Sequence, residues 1–155
     1  MNNTLYIEQK WLSMWGRFEV ENEAGQCVYT VEGEPSFTRK LVIYNDRNDQ
    51  VGLIHSVFSF WPKYEVEMNG HSLGTIEYRF ALHPALDFNE LGWHAEGNFI
   101  GLDFQVYDRN DREIGSVCRE LWHLTDFYAI HYQNPENELS MLLIALAIDI
   151  LTTKN

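Results

Sequence analysis

The chain has 155 residues, 45% of them hydrophobic, a length and apolar content that can fill one substantial core without calling for a second domain. Its formal net charge is −12 with only 11 Lys and Arg, scattered rather than clustered, which argues against a broad electrostatic hold on nucleic acid. Two cysteines, Cys27 and Cys118, exclude a disulfide framework and offer no metal-type Cys-x-x-Cys spacing.

The first residues, Met1-Asn2-Asn3-Thr4-Leu5-Tyr6, lack the basic start, apolar middle and small-residue cleavage site of a signal peptide, so the default location is cytoplasmic. From there the chain repeats a strand, a polar turn and a strand. Phe18-Glu19-Val20 leads to Val28-Tyr29-Thr30-Val31, Leu41-Val42-Ile43 to Val51-Gly52-Leu53-Ile54, and Tyr64-Glu65-Val66 to Leu73-Gly74-Thr75-Ile76. A fourth unit joins Phe104-Gln105-Val106 to Ile114-Gly115-Ser116-Val117. Val20, Ile43 and Val66 are evenly spaced, as expected of one supersecondary unit used several times.

The turns are Asn22-Glu23-Ala24-Gly25, Asn45-Asp46-Arg47-Asn48-Asp49, Asn69-Gly70 and Asp108-Arg109-Asn110-Asp111, rich in residues that tolerate positive φ or bond their own backbone. Asn69-Gly70 is a preferred two-residue hairpin turn and accounts for the shorter third unit. Alternation along Tyr64-Glu65-Val66-Glu67-Met68 gives one wet and one dry face. In three units a Gly follows the first apolar residue of the second strand and the apolar face then shifts, which predicts a bulge or bend there. Repeated bends favour a closed sheet over a flat sandwich.

Ala81 through Glu90 breaks the rhythm. Trp93-His94-Ala95-Glu96-Gly97 reads as a short strand and Asp126-Phe127-Tyr128-Ala129-Ile130-His131-Tyr132 as the last one, for about twelve in all. The chain then forms one helix from Asn134-Pro135-Glu136 through Leu151: Asn134 caps, Pro135 suits the first position, and Glu136 and Glu138 complement the positive end of the dipole. The uninterrupted apolar run, Met141 to Ile148, is too short to span a bilayer, so the helix is a core element. The predicted fold is mainly β (α+β): a single domain over 1–155, a closed antiparallel barrel of about twelve strands around a central hydrophobic C-terminal helix.

Trp61-Pro62-Lys63-Tyr64-Glu65-Val66, Leu91 through Phe99, Asp126-Phe127-Tyr128-Ala129-Ile130 and the terminal Leu142 through Asp149 together resemble the LURP-one-related family of tubby-like proteins, over essentially the whole chain. The resemblance implies a twelve-stranded barrel closed around a hydrophobic C-terminal helix, as in tubby C-terminal domains and phospholipid scramblases. It also implies phosphoinositide head groups, held by a basic pocket, as partners in tubby domains and membrane lipids as targets of scramblase-like members, with no established role for many bacterial LURP-one-like members. Here Arg119-Glu120-Leu121-Trp122 carries an acid where relatives often have lysine, and with the acidic charge this argues against phosphoinositide binding.

Few residues point to chemistry. His55, His71, His83, His94, His123 and His131 show no close pair spacing of a metal site, so ligation would need long-range folding. Glu65 and Glu67 share a face that reads as solvent-facing, Asp87, Glu90 and His94 lie in or near the irregular segment, and Arg39-Lys40 reads as a solvated strand face. Cys27 and Cys118, each beside a strand valine, read as buried or half-buried thiols. Asp149 ends the apolar helical run and must find hydrogen bonds or emerge from the core. No nucleophile, phosphate-cradling or dinucleotide motif occurs.

The sequence thus supplies no catalytic residues, metal ligands or cofactor, and leaves the ligand-binding residues unknown. Trp11-Leu12-Ser13-Met14-Trp15 and Phe58-Ser59-Phe60-Trp61-Pro62, at strand junctions, are the candidate contact patches for a protein or lipid partner, with burial as the alternative. The functional expectation is a non-enzymatic scaffold or binding module, with a small-molecule carrier or an enzyme with a barrel-end site as rivals.

Overall fold

A computed structural model describes residues 3–8, 16–34, 40–78, 84–88, 91–122 and 125–152. Twelve strands form one antiparallel sheet: β1 (Thr4–Glu8), β2 (Arg17–Asn22), β3 (Cys27–Glu34), β4 (Lys40–Asn45), β5 (Gln50–Ser56), β6 (Lys63–Met68), β7 (His71–Tyr78), β8 (Pro84–Asp87), β9 (His94–Asn98), β10 (Asp103–Tyr107), β11 (Glu113–Trp122) and β12 (Thr125–Tyr132). A 3-10 turn (Pro135–Asn137) leads into the helix α1 (Glu138–Thr152). The strand order is β8-β7-β6-β5-β4-β3-β2-β1-β12-β11-β10-β9, two meanders joined where β1 pairs with β12.

The four repeated units are the hairpins β2–β3, β4–β5, β6–β7 and β10–β11, and their turns show why the sequence repeats. In three of them Asn22, Asn45 and Asp108 accept, through the side-chain oxygen, the backbone N–H groups two and four residues on. The fourth residue of each of these turns, Gly25, Asn48 or Asp111, takes positive φ. These hydrogen bonds, led by the Arg112 N–H, hold the Asp108 carboxyl below its ordinary value. Asn69 and Gly70, with φ of 52° and 81°, make the short turn of the third unit.

Each hairpin also slips register at one equivalent place, after Val20, Ile43, Val66 and Val106. The extra residue on the second strand is Val28, Val51, Leu73 or Ile114, directly before Tyr29, Gly52, Gly74 or Gly115. The bulges predicted from the glycines are therefore present, and the first unit has one too, with a tyrosine where the others have glycine. The glycines bring the sheet against the helix. A Cβ on Gly52 would lie 2.7 Å from Leu143 Cδ2, and one on Gly115 would collide with the His131 carbonyl oxygen and lie 2.9 Å from Met141 Cε.

Helix α1 forms because its residues are apolar on every side and every side finds a partner. Eleven of its fifteen residues are buried, from Ser140 to Leu151 with Asp149 half-buried among them. They share one core with Leu5, Val20, Ile43, Ile54, Val66, Ile76, Phe104, Val117 and Ile130, so both meanders contribute. Each fully buried Leu or Ile is worth ~1.5–3 kcal/mol. The chain enters as predicted, with Asn134 accepting from the Glu136 N–H and Pro135 opening the first turn, although that turn is 3-10 rather than α.

The sheet does not close into the predicted barrel. Its edge strands β8 and β9 come back near one another, yet no ladder joins them. Three local features keep this seam open. Pro84 opens β8 without an N–H, β8 is only four residues long, and Gly92 N–H donates to the Phe88 carbonyl at 2.8 Å, closing a turn instead of a ladder. Phe88 and Trp93, flanking that turn, are buried in the core. No helix among the described residues is long and apolar enough to cross a membrane.

Candidate functional site: the outer sheet face and the β5–β6 loop

With α1 occupying the interior, the chemistry-bearing side chains stand on the outer face and in the connections. Among the described residues, the β5–β6 connection carries the most exposed large apolar groups: Phe58 is fully exposed and Phe60 is 91% exposed. The loop is pinned at its base by Val57 N–H donating to the Lys63 carbonyl at 3.0 Å, and Phe60 sets its ring edge against Trp61 at a centroid distance of 5.4 Å. This is the segment that the sequence offers as a contact patch, and burial, the alternative, does not occur at Phe58 or Phe60. The companion segment, Trp11 to Trp15, lies outside the described residues.

Among the described residues, two clusters of donor groups are assembled by strand register. On β5 and β6, His55 pairs across the ladder with Glu65, and its Nε2 lies 3.6 Å from both the Glu65 and Glu67 carboxylates. Glu65 and Glu67 stand on the outer face, as their alternation predicts, and there both carboxylates and the imidazole are partly exposed.

The second cluster spans β11 and β12. Cys118 and Glu120, two apart on β11, share the outer face, while His131 reaches them from β12, where it pairs with Ser116. His131 Nε2 lies 3.8 Å from Cys118 Sγ and 3.6 Å from Glu120 Oε1, and Sγ lies 3.9 Å from that same Oε1. The other ring nitrogen, Nδ1, is 2.9 Å from the hydroxyl of Thr4, a buried residue that pairs with His131 across the β1–β12 ladder. Burial first, and then the Glu120 carboxylate, push the Cys118 thiol above its ordinary value. Tyr6 is raised by the same two causes in the same order. Beside the cluster a surface groove of about 320 Å³ is lined by Tyr6, Glu21, Asn22, Glu23, Glu120 and Phe127, among others.

The remaining sequence candidates are not drawn together. His94, in β9, stacks on Tyr107 and faces Glu96 and Asp111 at 3.8 and 3.5 Å, His71 is exposed beside its turn, and Asp87 lies in β8. His83, His123, Glu90 and Arg39 fall outside the described residues. Cys118 is half-buried as predicted, but Cys27 is exposed: it stands opposite Glu21 at the mouth of the first bulge, where the shifted register turns it outward.

Among the described residues, the outer face thus carries two donor clusters and one aromatic loop on a sheet whose interior is filled. Residues 3–149 match the LURP-one-related family. The chain belongs to that family. No curated protein and no solved structure matches it.

The sequence pattern of this LURP-one-related protein already places Cys118 and Glu120 on one strand face. Thr4 and His131 were not legible as their partners, because the pairing of the first strand with the last is fixed only by the whole sheet.

Proposed function

We propose that this LURP-one-related chain is a non-enzymatic, cytoplasmic binding module that holds a partner on its outer surface through the β5–β6 aromatic loop. The observation that carries the reading is the pair of phenyl rings, Phe58 and Phe60, standing in water on a loop whose base is fixed by a backbone hydrogen bond. Exposed aromatic groups of this kind gain most from burial against a partner. The filled interior supports an external site over an enclosed carrier cavity, since α1 occupies the space a ligand would need.

A protein partner is favoured over an anionic lipid surface, because a net charge of −12 opposes approach to a negative membrane. The test compares wild type with a Phe58→Ser/Phe60→Ser double variant in affinity capture from the source cell and in flotation with neutral and anionic vesicles. Both rings are outside the core, so the double variant should keep its thermal midpoint. The reading predicts proteins retained by wild type and lost with the double variant, with no flotation. Flotation of wild type alone would transfer the loop to a lipid role, and equal retention by both chains would refute the loop as the contact.

A further inference from the structure

A different part of the surface carries a second inference, independent of the aromatic loop. We infer that Cys118, Glu120 and His131 form a three-donor site for a divalent transition metal ion of the zinc class, with one coordination position left for water or an added ligand.

The three donor atoms make a triangle. Sγ, Nε2 and Oε1 stand 3.8, 3.6 and 3.9 Å apart, nearly equilateral. Tetrahedral zinc, with bonds of about 2.3 Å to sulfur and about 2.0–2.1 Å to nitrogen and oxygen, sets its ligand atoms roughly 3.3–3.6 Å from one another. Contraction by a few tenths of an ångström brings these three atoms onto one ion. Without an ion, Cys118 Sγ makes long sulfur hydrogen-bond contacts to Glu120 Oε1 and His131 Nε2, which coordination would replace.

The donor set is also selective. A thiolate, an imidazole and a carboxylate together suit zinc or cobalt far better than calcium or magnesium, which take oxygen. The His55, Glu65 and Glu67 cluster lacks the sulfur and is a weaker candidate on those grounds.

Orientation is the second observation. A ligating histidine needs its other nitrogen engaged, because that bond fixes the tautomer and aims the ring. Thr4 does this from a buried position: its hydroxyl meets Nδ1, which leaves Nε2 as the nitrogen facing the cysteine and the glutamate. All four residues sit on paired strands, so the geometry is held by ladders rather than by a loop. Glu21 and Glu23 border the adjoining groove with Glu120, giving a negative approach path that draws a cation in. On binding, the Cys118 S–H bond breaks, a sulfur–metal bond forms and the proton passes to solvent.

The test is titration of the reduced full chain with Co²⁺, followed by displacement with Zn²⁺. The inference predicts a thiolate-to-cobalt charge-transfer band that saturates at one ion per chain and is abolished by Zn²⁺. Cys118→Ser removes the band, His131→Gln collapses the affinity, and Cys27→Ser leaves both unchanged. Thr4→Val keeps the band but weakens binding by about 10–100-fold, the usual cost of losing such an orienting partner. Circular dichroism of each variant establishes that it has folded. Absence of the band in wild type, its survival in Cys118→Ser, or its loss in Cys27→Ser would each overturn the site.

Discussion

Glu138 shows how one side chain locks the helix into the sheet. It is the first residue of α1, and its two carboxylate oxygens accept from the Tyr29 hydroxyl at 2.7 Å and from the Tyr132 hydroxyl. Tyr29 stands where the other hairpins carry glycine, so the bulge that elsewhere lets the sheet touch the helix here aims a phenol at its positive end. Burial first, and then the hydrogen bond to Glu138, push both phenols above their ordinary value of 10.0. The protonated phenol is the form the clamp uses, so the folded chain retains these protons at a pH where the unfolded chain has released them. The clamp's contribution is therefore complete below about pH 10 and is lost as pH rises through the folded values. Tyr29→Phe should cost about 1–2 kcal/mol at neutral pH. It should also flatten the alkaline fall in stability, measured by urea unfolding at successive pH values. An unchanged alkaline slope would show that the phenol is not the group responsible. The sequence shows Glu138 only as a complement to the helix dipole; its tyrosine partners lie 109 and six positions away and were not legible.

At the scale of the hairpin, most of the structure was readable in advance. The side-chain oxygens of Asn22, Asn45 and Asp108, the Asn69-Gly70 turn and the displaced glycines each act over a few residues, and short-range chemistry leaves short-range patterns. The glycines also predict their own substitution costs. A methyl group at Gly115 would meet a backbone carbonyl that cannot move without breaking the β11–β12 ladder, whereas one at Gly52 meets the flexible end of Leu143 most closely and Ile43 Cβ at 3.3 Å, with no backbone atom among its nearest contacts. Gly115→Ala should accordingly destabilise by about 3 kcal/mol, at the upper end of overpacking costs, and Gly52→Ala by roughly 1 kcal/mol. Thermal or denaturant midpoints of the two variants decide it; equal losses would mean that the helix side chains, rather than the backbone, set the limit. What local chemistry does not encode is the pairing of strands distant in sequence. For that reason the groupings of Cys118 with His131 and Thr4, and of His55 with Glu65 and Glu67, emerged only from the assembled sheet.

For the whole molecule, the described residues hold twelve strands, where about twelve were predicted, and the buried helix, but not the predicted closure. Repeated bends predict a closed barrel; the sheet instead packs around α1 and stops short of closure, with Pro84, a four-residue strand and the Phe88–Gly92 turn at the unpaired seam. The seam has a practical consequence. Since no ladder crosses it, the chain can be divided after Phe88 without severing a single strand pair. The two polypeptides would meet through the β1–β12 ladder and through α1, which belongs to the second piece and packs on β5, β6 and β7 of the first. Produced together, the pieces should co-purify as a one-to-one complex, and each alone should aggregate with its apolar face uncovered. Failure to co-purify would mean that the connection across the seam contributes more than covalent continuity. An unclosed edge thus turns the protein into a natural candidate for reconstitution from fragments, with binding of the halves as its readout.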